Sequence, residues 1–306
     1  MRQAFMIDTS RSADSWIGHL ALAGQTAIIC GGYVVGREAA RTFDPLLLTG
    51  LRAWGSALVY LALLPTFRRQ GWITYHWQQL PYPFRYRLWI LAIIGVLFNQ
   101  LLFNWGLRYT TAATTALIYA LTPSVVFWLG IWVFRKEIFQ WRKASALLIA
   151  YAGVILALWH NLLHSEHGWG WLLILSAVGF WAWYLNYSPP IINRIGAIGV
   201  TAAVMILGGI LHTPSLVAGL LMQKNLPTSP FAWSSLLYLI LGMSVAAYLL
   251  LNAGLRYLSP TQTALYISFQ PLGTAALAAL LGQEPLTWQL AVAAALTTGG
   301  MLLFRK

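Results

Sequence analysis

Apolar runs follow one another along almost the whole chain, each close to the ~20 residues that a membrane-spanning helix needs, and they leave few folds open. They lack the alternation of barrel strands. Charged residues make up 8% of the 306 positions and mean hydropathy is +0.66, whereas soluble domains carry roughly 25% charge. So few charges cannot cover a soluble globule, and lipid has to replace water over most of the surface. In lipid the backbone satisfies its own hydrogen bonds only as helix or closed barrel. The sequence therefore predicts an all-α integral membrane protein.

Ten spans are expected. The first half holds 17–36, 45–67, 88–107, 112–134 and 144–160; the second holds 169–187, 196–221, 231–253, 260–282 and 287–304. Residues 1–306 are read as one membrane domain, with five-helix halves at 17–160 and 169–304. Met1 to Ser15 is polar and mixed in charge, unlike a signal peptide, so the first run is read as a span. Cys30 is the single cysteine, which leaves no intrachain disulfide and no cysteine metal site.

The net charge of +12 does not point to nucleic acid, because the basic residues sit at span ends. With the N-terminus inside, Arg68, Arg69, Arg85, Arg87, Arg135, Lys136, Arg142, Lys143, Arg194 and Arg256 fall on the cytoplasmic side with Arg2, Arg11, Arg305 and Lys306. Only Arg37, Arg41, Arg108 and Lys224 fall outside. This asymmetry predicts that both termini are cytoplasmic. The segment from Arg68 to Arg87 mixes arginines with Trp72, Tyr75, Trp77, Tyr82, Phe84 and Tyr86, and is expected at the headgroup boundary.

Sliding the chain on itself by 148 residues aligns Asn104-Trp-Gly-Leu-Arg-Tyr with Asn252-Ala-Gly-Leu-Arg-Tyr, Thr115-Ala-Leu with Thr263-Ala-Leu, and Pro123 with Pro271. After a one-residue slip Glu137 meets Glu284. Shared apolar bias does not match Asn, Arg, Pro and Glu in one order. Spans one and two align only weakly with six and seven. Equivalent positions lie five spans apart, an odd number, so the halves are expected to be inverted, an architecture of secondary transporters with a substrate site near the midplane. Pro123 and Pro271, in the middle of spans four and nine, are expected to act as paired hinges, each removing one helical hydrogen bond.

The five-plus-five plan and the Gly-Leu-Arg-Tyr pattern leading to a mid-helix proline resemble the drug/metabolite transporter superfamily, EamA type. The resemblance implies export of amino acids and other metabolites through a cavity lined by helices one, three, four, six, eight and nine. It also implies a bacterial inner (plasma) membrane.

Every acidic residue (Asp8, Asp14, Glu38, Asp44, Glu137, Glu166, Glu284) lies outside a span or at its end. This discounts antiport through a membrane-buried carboxylate, and no enzyme constellation can be assembled at one depth. Arg52, about 12 Å inside span two at 1.5 Å per residue, either attracts a substrate carboxylate or is structural, snorkelling outward or pairing with Glu38 or Asp44. Polar pairs at helical spacing carry the site reading: Gln100 and Asn104, Tyr248 and Asn252, Tyr119 and Thr122, Tyr266 and Gln270, together with Gln25. Gln100, Thr122, Tyr248 and Gln270 are expected to contact substrate, with Trp181 and Tyr184 as apolar walls; the alternative for each is an interhelical hydrogen bond. His160, His164, His167 and Glu166 read as a wet interfacial turn, so neither a metal nor a cofactor is expected. The expected partners are a small-molecule substrate and the bilayer. The functional expectation is a secondary transporter of small neutral or zwitterionic metabolites; a drug or nucleotide-sugar carrier, or a non-transporting scaffold or receptor, are the alternatives.

Overall fold

A computed structural model describes residues 15–73, 75, 79–164, 169–283 and 288–305. Met1, Arg2, Asp8, Arg11, Asp14, Trp77, Glu166, His167, Glu284 and Lys306 lie outside the described residues. Helices cover all ten expected runs: α1 Ser15–Thr42, α2 Pro45–Arg69, α3 Tyr82–Tyr109, α4 Ala112–Trp132, α5 Trp141–His164, α6 Gly170–Tyr187, α7 Ala197–Leu211, α8 Pro230–Tyr257, α9 Pro260–Leu280 and α10 Trp288–Arg305. Six of them (α1 to α4, α8 and α9) are long and apolar enough to cross a membrane. A seventh qualifies if α7 is counted with the short helix Pro189–Ile195, to which it is joined at 113°. That bend turns on Gly196, whose φ of +80° is a conformation that side chains with a Cβ rarely adopt. Beyond α7, a break at His212 leads into Thr213–Met222.

Local chemistry sets where the helices begin. Asp44 caps α2 by accepting from the backbone N–H of Leu46 and Leu47, and Pro45 supplies a first-turn residue that needs no partner. Thr111 caps α4 through the N–H of Thr114, and Ser259 and Gln262 form a reciprocal capping box on α9. Large apolar side chains point outward, with Leu58, Leu221 and Leu280 exposed at 58%, 83% and 81%. An apolar surface of that extent needs a lipid solvent.

The helix contacts repeat between the halves. Helix α1 packs on α8 and α9, while α6 packs on α3 and α4; α2 lies along α7, α4 on α9 and α5 on α10. Small residues permit the close approaches. A Cβ on Gly219 would sit 2.1 Å from the Leu47 nitrogen, and one on Gly50 2.6 Å from the Leu216 Cα, so α2 and Thr213–Met222 meet backbone to backbone. Gly18 against Tyr257 and Gly254 against Leu22 join α1 to α8; Gly170 against Tyr109 and Gly106 against Ile174 join α6 to α3 in the same way.

Two distortions also recur. A wide π-type turn occupies Ile93–Phe98 of α3, and another occupies Leu239–Ala246 of α8. The regular winding of α4 breaks at Ala120–Leu121 and that of α9 at Ser268–Phe269. Pro123 and Pro271 follow these mid-helix breaks directly. Each lies in the first turn of the helical segment that starts after the break, where its missing N–H costs least.

Part of the segment expected at the headgroup boundary packs into the protein, while Trp72, Tyr82 and Tyr86 stay exposed. Ile73 and Leu80 are buried, and the Tyr75 hydroxyl donates to the Gly199 carbonyl at 2.8 Å. Burial pushes the Tyr75 phenol up to about 12 against the opposing pull of Arg68.

Candidate functional site

Helices from both halves surround a central cavity. From α1 come Gln25, Ile29 and Tyr33, one turn apart on a single face. Arg52 enters from α2, Asn99 and Phe103 from α3, and Tyr119 from α4. The lining is completed by Trp181 of α6, Met243 and Tyr248 of α8, and Ile267 and Gln270 of α9.

Aromatic rings form the walls. Tyr33, Phe103 and Tyr119 lie with ring centroids 5.8 Å apart in each pair. Trp181 stacks on Tyr184 at 5.4 Å and meets Tyr248 edge-on at 5.2 Å. Hydrogen bonds fix the polar tips. The Tyr33 hydroxyl donates to Gln270 Oε1 at 2.9 Å, and Asn99 Nδ2 donates to the Tyr119 hydroxyl at 3.1 Å and to the Ala177 carbonyl at 2.9 Å. The Tyr248 hydroxyl donates to the carbonyl of Gly95, inside the wide turn of α3. Bonded rings of this kind hold the walls in one arrangement, which favours a defined ligand pose.

Arg52 is 3% exposed and points inward. Its Nε donates to Ser244 Oγ at 2.8 Å and its Nη1 to Asn104 Oδ1 at 3.4 Å, while its guanidinium lies 5.8 Å from the Phe103 ring centroid. It neither snorkels outward nor pairs with Glu38 or Asp44; among the described residues no carboxylate forms an ion pair with it.

Of the expected contacts, Gln25, Arg52, Tyr119, Trp181, Tyr248 and Gln270 line the cavity. The others lie outside its lining. Asn104 Nδ2 donates to Thr49 Oγ1 at 3.0 Å, and Asn252 Nδ2 donates to Thr201 Oγ1 at 2.8 Å, so each asparagine clamps neighbouring helices. Thr122 donates to the Tyr119 carbonyl at 2.5 Å, the acceptor that Pro123 leaves without its helical donor. Tyr184 donates to Asn252 Oδ1 at 3.0 Å from behind Trp181, and Tyr266 pairs with His19 at 2.6 Å, away from the cavity. Gln100 is 1% exposed and lies beside the Tyr248 phenol with its side-chain N and O outside hydrogen-bonding geometry.

Ile29, Tyr33, Asn99, Phe103, Met243 and Ile267 are the lining residues that sequence reasoning missed. Two carried a legible signal: Ile29 and Tyr33 follow Gln25 at four-residue steps. On α3 two adjacent faces have the right spacing, Gln100 with Asn104 and Asn99 with Phe103. The more polar pair is the natural choice, but it lies off the lining: Asn104 bonds Thr49 of α2, while Gln100 is buried without a hydrogen bond.

At the end of α4, Glu137 Oε1 accepts from Thr261 Oγ1 at 2.7 Å, which bridges the halves. The neighbouring Lys136 donates to the Asn186 carbonyl at 3.0 Å, and burial, with Arg87 nearby, holds its ammonium below the usual lysine range. Three or more metal-ligating side chains do not come together among the described residues.

The EamA-like transporter family profile matches residues 16–159 and again 168–305. An uncharacterized transporter of Bacillus subtilis, YetK, is 23% identical over 293 residues, covering 93% of this chain and 86% of that protein. An uncharacterized transporter of Archaeoglobus fulgidus is 26% identical over 293 residues, covering 93% and 96%. A crystal structure superposes with a TM-score of 0.68 at 18% identity, over 95% of this chain and 96% of the other, and so shares the fold. These matches and the apolar, multi-helix architecture agree: the chain is a multi-pass membrane transporter and belongs to the EamA-like transporter family.

Proposed function

We propose that the protein is a secondary transporter that exports small neutral or zwitterionic metabolites, amino-acid-like ones foremost, across the plasma (bacterial inner) membrane. In this reading ten spans form two inverted five-helix halves with both termini cytoplasmic, and the cavity opens to each side in turn as the halves rock. The observation that carries the proposal is the cavity itself, whose polar groups come from both halves: Gln25, Arg52 and Asn99 from one, Tyr248 and Gln270 from the other. The duplicated helix contacts support a pseudo-twofold relation. The Glu137–Thr261 bridge joins the halves and suits a contact that breaks and reforms in each cycle. The paired breaks in α4 and α9 lie next to the lining residues Tyr119 and Gln270, where small rotations change access.

Flux in proteoliposomes tests the reading. Purified protein should accelerate uptake or counterflow of at least one amino-acid-like solute over empty liposomes, and Gln270→Ala or Tyr248→Ala, matched in melting temperature, should weaken its binding roughly 5- to 150-fold, as expected when a buried partner is left unpaired. Absence of flux for a broad metabolite panel points to the scaffold or receptor alternative.

A further inference from the structure

The cavity holds a fixed positive charge that the protein does not neutralise. Arg52 is buried, and its two bonded N–H groups go to neutral acceptors, Ser244 Oγ and Asn104 Oδ1. Its Nη2 has no protein partner among the described residues, and the side chain lines the cavity. A buried cation held only by neutral acceptors is costly, and a guanidinium fork is shaped to bind a carboxylate through two N–H groups. Around it the Tyr119 hydroxyl accepts from Asn99 and so keeps its own proton for donation, while Phe103, Tyr33 and Trp181 offer an apolar ring-lined space.

On the transport reading above, we infer that Arg52 is the carboxylate-binding residue of this cavity and that the substrate carries a carboxylate on an apolar body seated among those rings. The substrate then brings the missing counter-charge, and the site selects against cations and against neutral amides of the same shape. The shared chemistry is the carboxylate: a simple organic anion and a zwitterion with its amine directed toward Gln25 and Gln270 both supply it.

The test uses full-length protein in liposomes and compares matched acids and amides as competitors and as transported solutes: 3-phenylpropionate with 3-phenylpropionamide, and L-phenylalanine with L-phenylalaninamide. The acid of at least one pair should bind roughly 10- to 100-fold more tightly than its amide, the size expected for a charge-assisted bidentate contact. Preference confined to the first pair identifies an anion as substrate, and preference in the second a zwitterion. Arg52→Gln should bring acid and amide to equal affinity, and Arg52→Lys should keep part of the difference through its charge. Should Arg52→Gln fail to fold, the wild-type comparison still decides. Flux with acids and amides alike overturns the Arg52 assignment and leaves the transport reading standing. Failure to move any solute overturns both.

Discussion

Asn104 and Asn252 do the same work in the two halves and keep different company. Each donates to a threonine hydroxyl on the neighbouring helix, and each threonine in turn donates to a carbonyl one turn back: Thr49 to Pro45 at 2.6 Å, Thr201 to Ala197 at 2.7 Å. The asparagine oxygens differ. One accepts from the Arg52 guanidinium and the other from the Tyr184 phenol. By position in the repeat, Arg52 corresponds to Val204 and Ser244 to Val96, so the charged pair of one corner is an apolar pair in the other. The wide turns are also matched in outline only. The carbonyl of Val245 is capped by Tyr60 at 2.8 Å, and that of Val96 by His212 at 3.2 Å. The lesson is that the asparagine–threonine contacts holding the helices together were duplicated, while the groups beside them diverged. Arg52 thereby brings a cation to the cavity lining where the repeat position holds Val204.

The largest expected effect comes from erasing that difference. Val204→Arg places a second cation in the apolar corner, where Val204 is fully buried. A charge at such depth costs about 2.5 to 3.5 kcal/mol on insertion scales. The variant should give little monodisperse protein after detergent extraction, and wild-type yield and melting temperature would show that the second corner tolerates charge as the first does.

Removing the clamps sharpens the comparison next. Asn252→Leu removes the donor to Thr201 Oγ1 and the acceptor of the Tyr184 hydroxyl and should lower stability by about 1 to 2 kcal/mol, the upper range for hydrogen bonds between membrane helices. Asn104→Leu should cost at least as much, because a cation also loses an acceptor. Thermal unfolding of both variants in one detergent measures the order, and a clearly smaller loss for Asn104→Leu contradicts it.

The smallest effect belongs to the wide turns. Tyr60→Phe removes one donor to the Val245 carbonyl and should cost about 0.6 kcal/mol. The same melting assay should place His212→Phe lower still, because His212 is fully buried and bonded at both ring nitrogens, to Ser215 and Val96.

Much of the architecture was legible because the later helices of each half keep a constant spacing: Asn104 to Asn252 and Pro123 to Pro271 share a shift of 148 residues. The first two helices escaped because their contacts match at 152, as Thr49 does with Thr201 and Gly18 with Gly170. The four-residue difference lies in the longer Arg68 to Arg87 connection. The site was half legible. Gln25, Tyr119, Trp181, Tyr248 and Gln270 stand out as polar or aromatic residues inside apolar helices, and Arg52 as a charge among them. Asn104, Asn252 and Thr122 stand out for the same reason, yet the asparagines bond Thr49, Arg52, Thr201 and Tyr184, and Thr122 bonds a freed carbonyl. Polarity in a span reports that a partner is needed; it does not say whether that partner is protein or substrate.

Relative motion of the two halves around the cavity is the central claim, and the Glu137–Thr261 contact gives direct access to it. With the single cysteine removed by Cys30→Ala, Glu137→Cys and Thr261→Cys should be joined by a short thiol cross-linker while the bridge is closed. Flux in proteoliposomes should then stop on cross-linking and return when a reducible linker is cleaved, with neither single-cysteine variant affected. Full flux through protein shown to be cross-linked would contradict the account, because the solute would have passed without the halves separating at that contact.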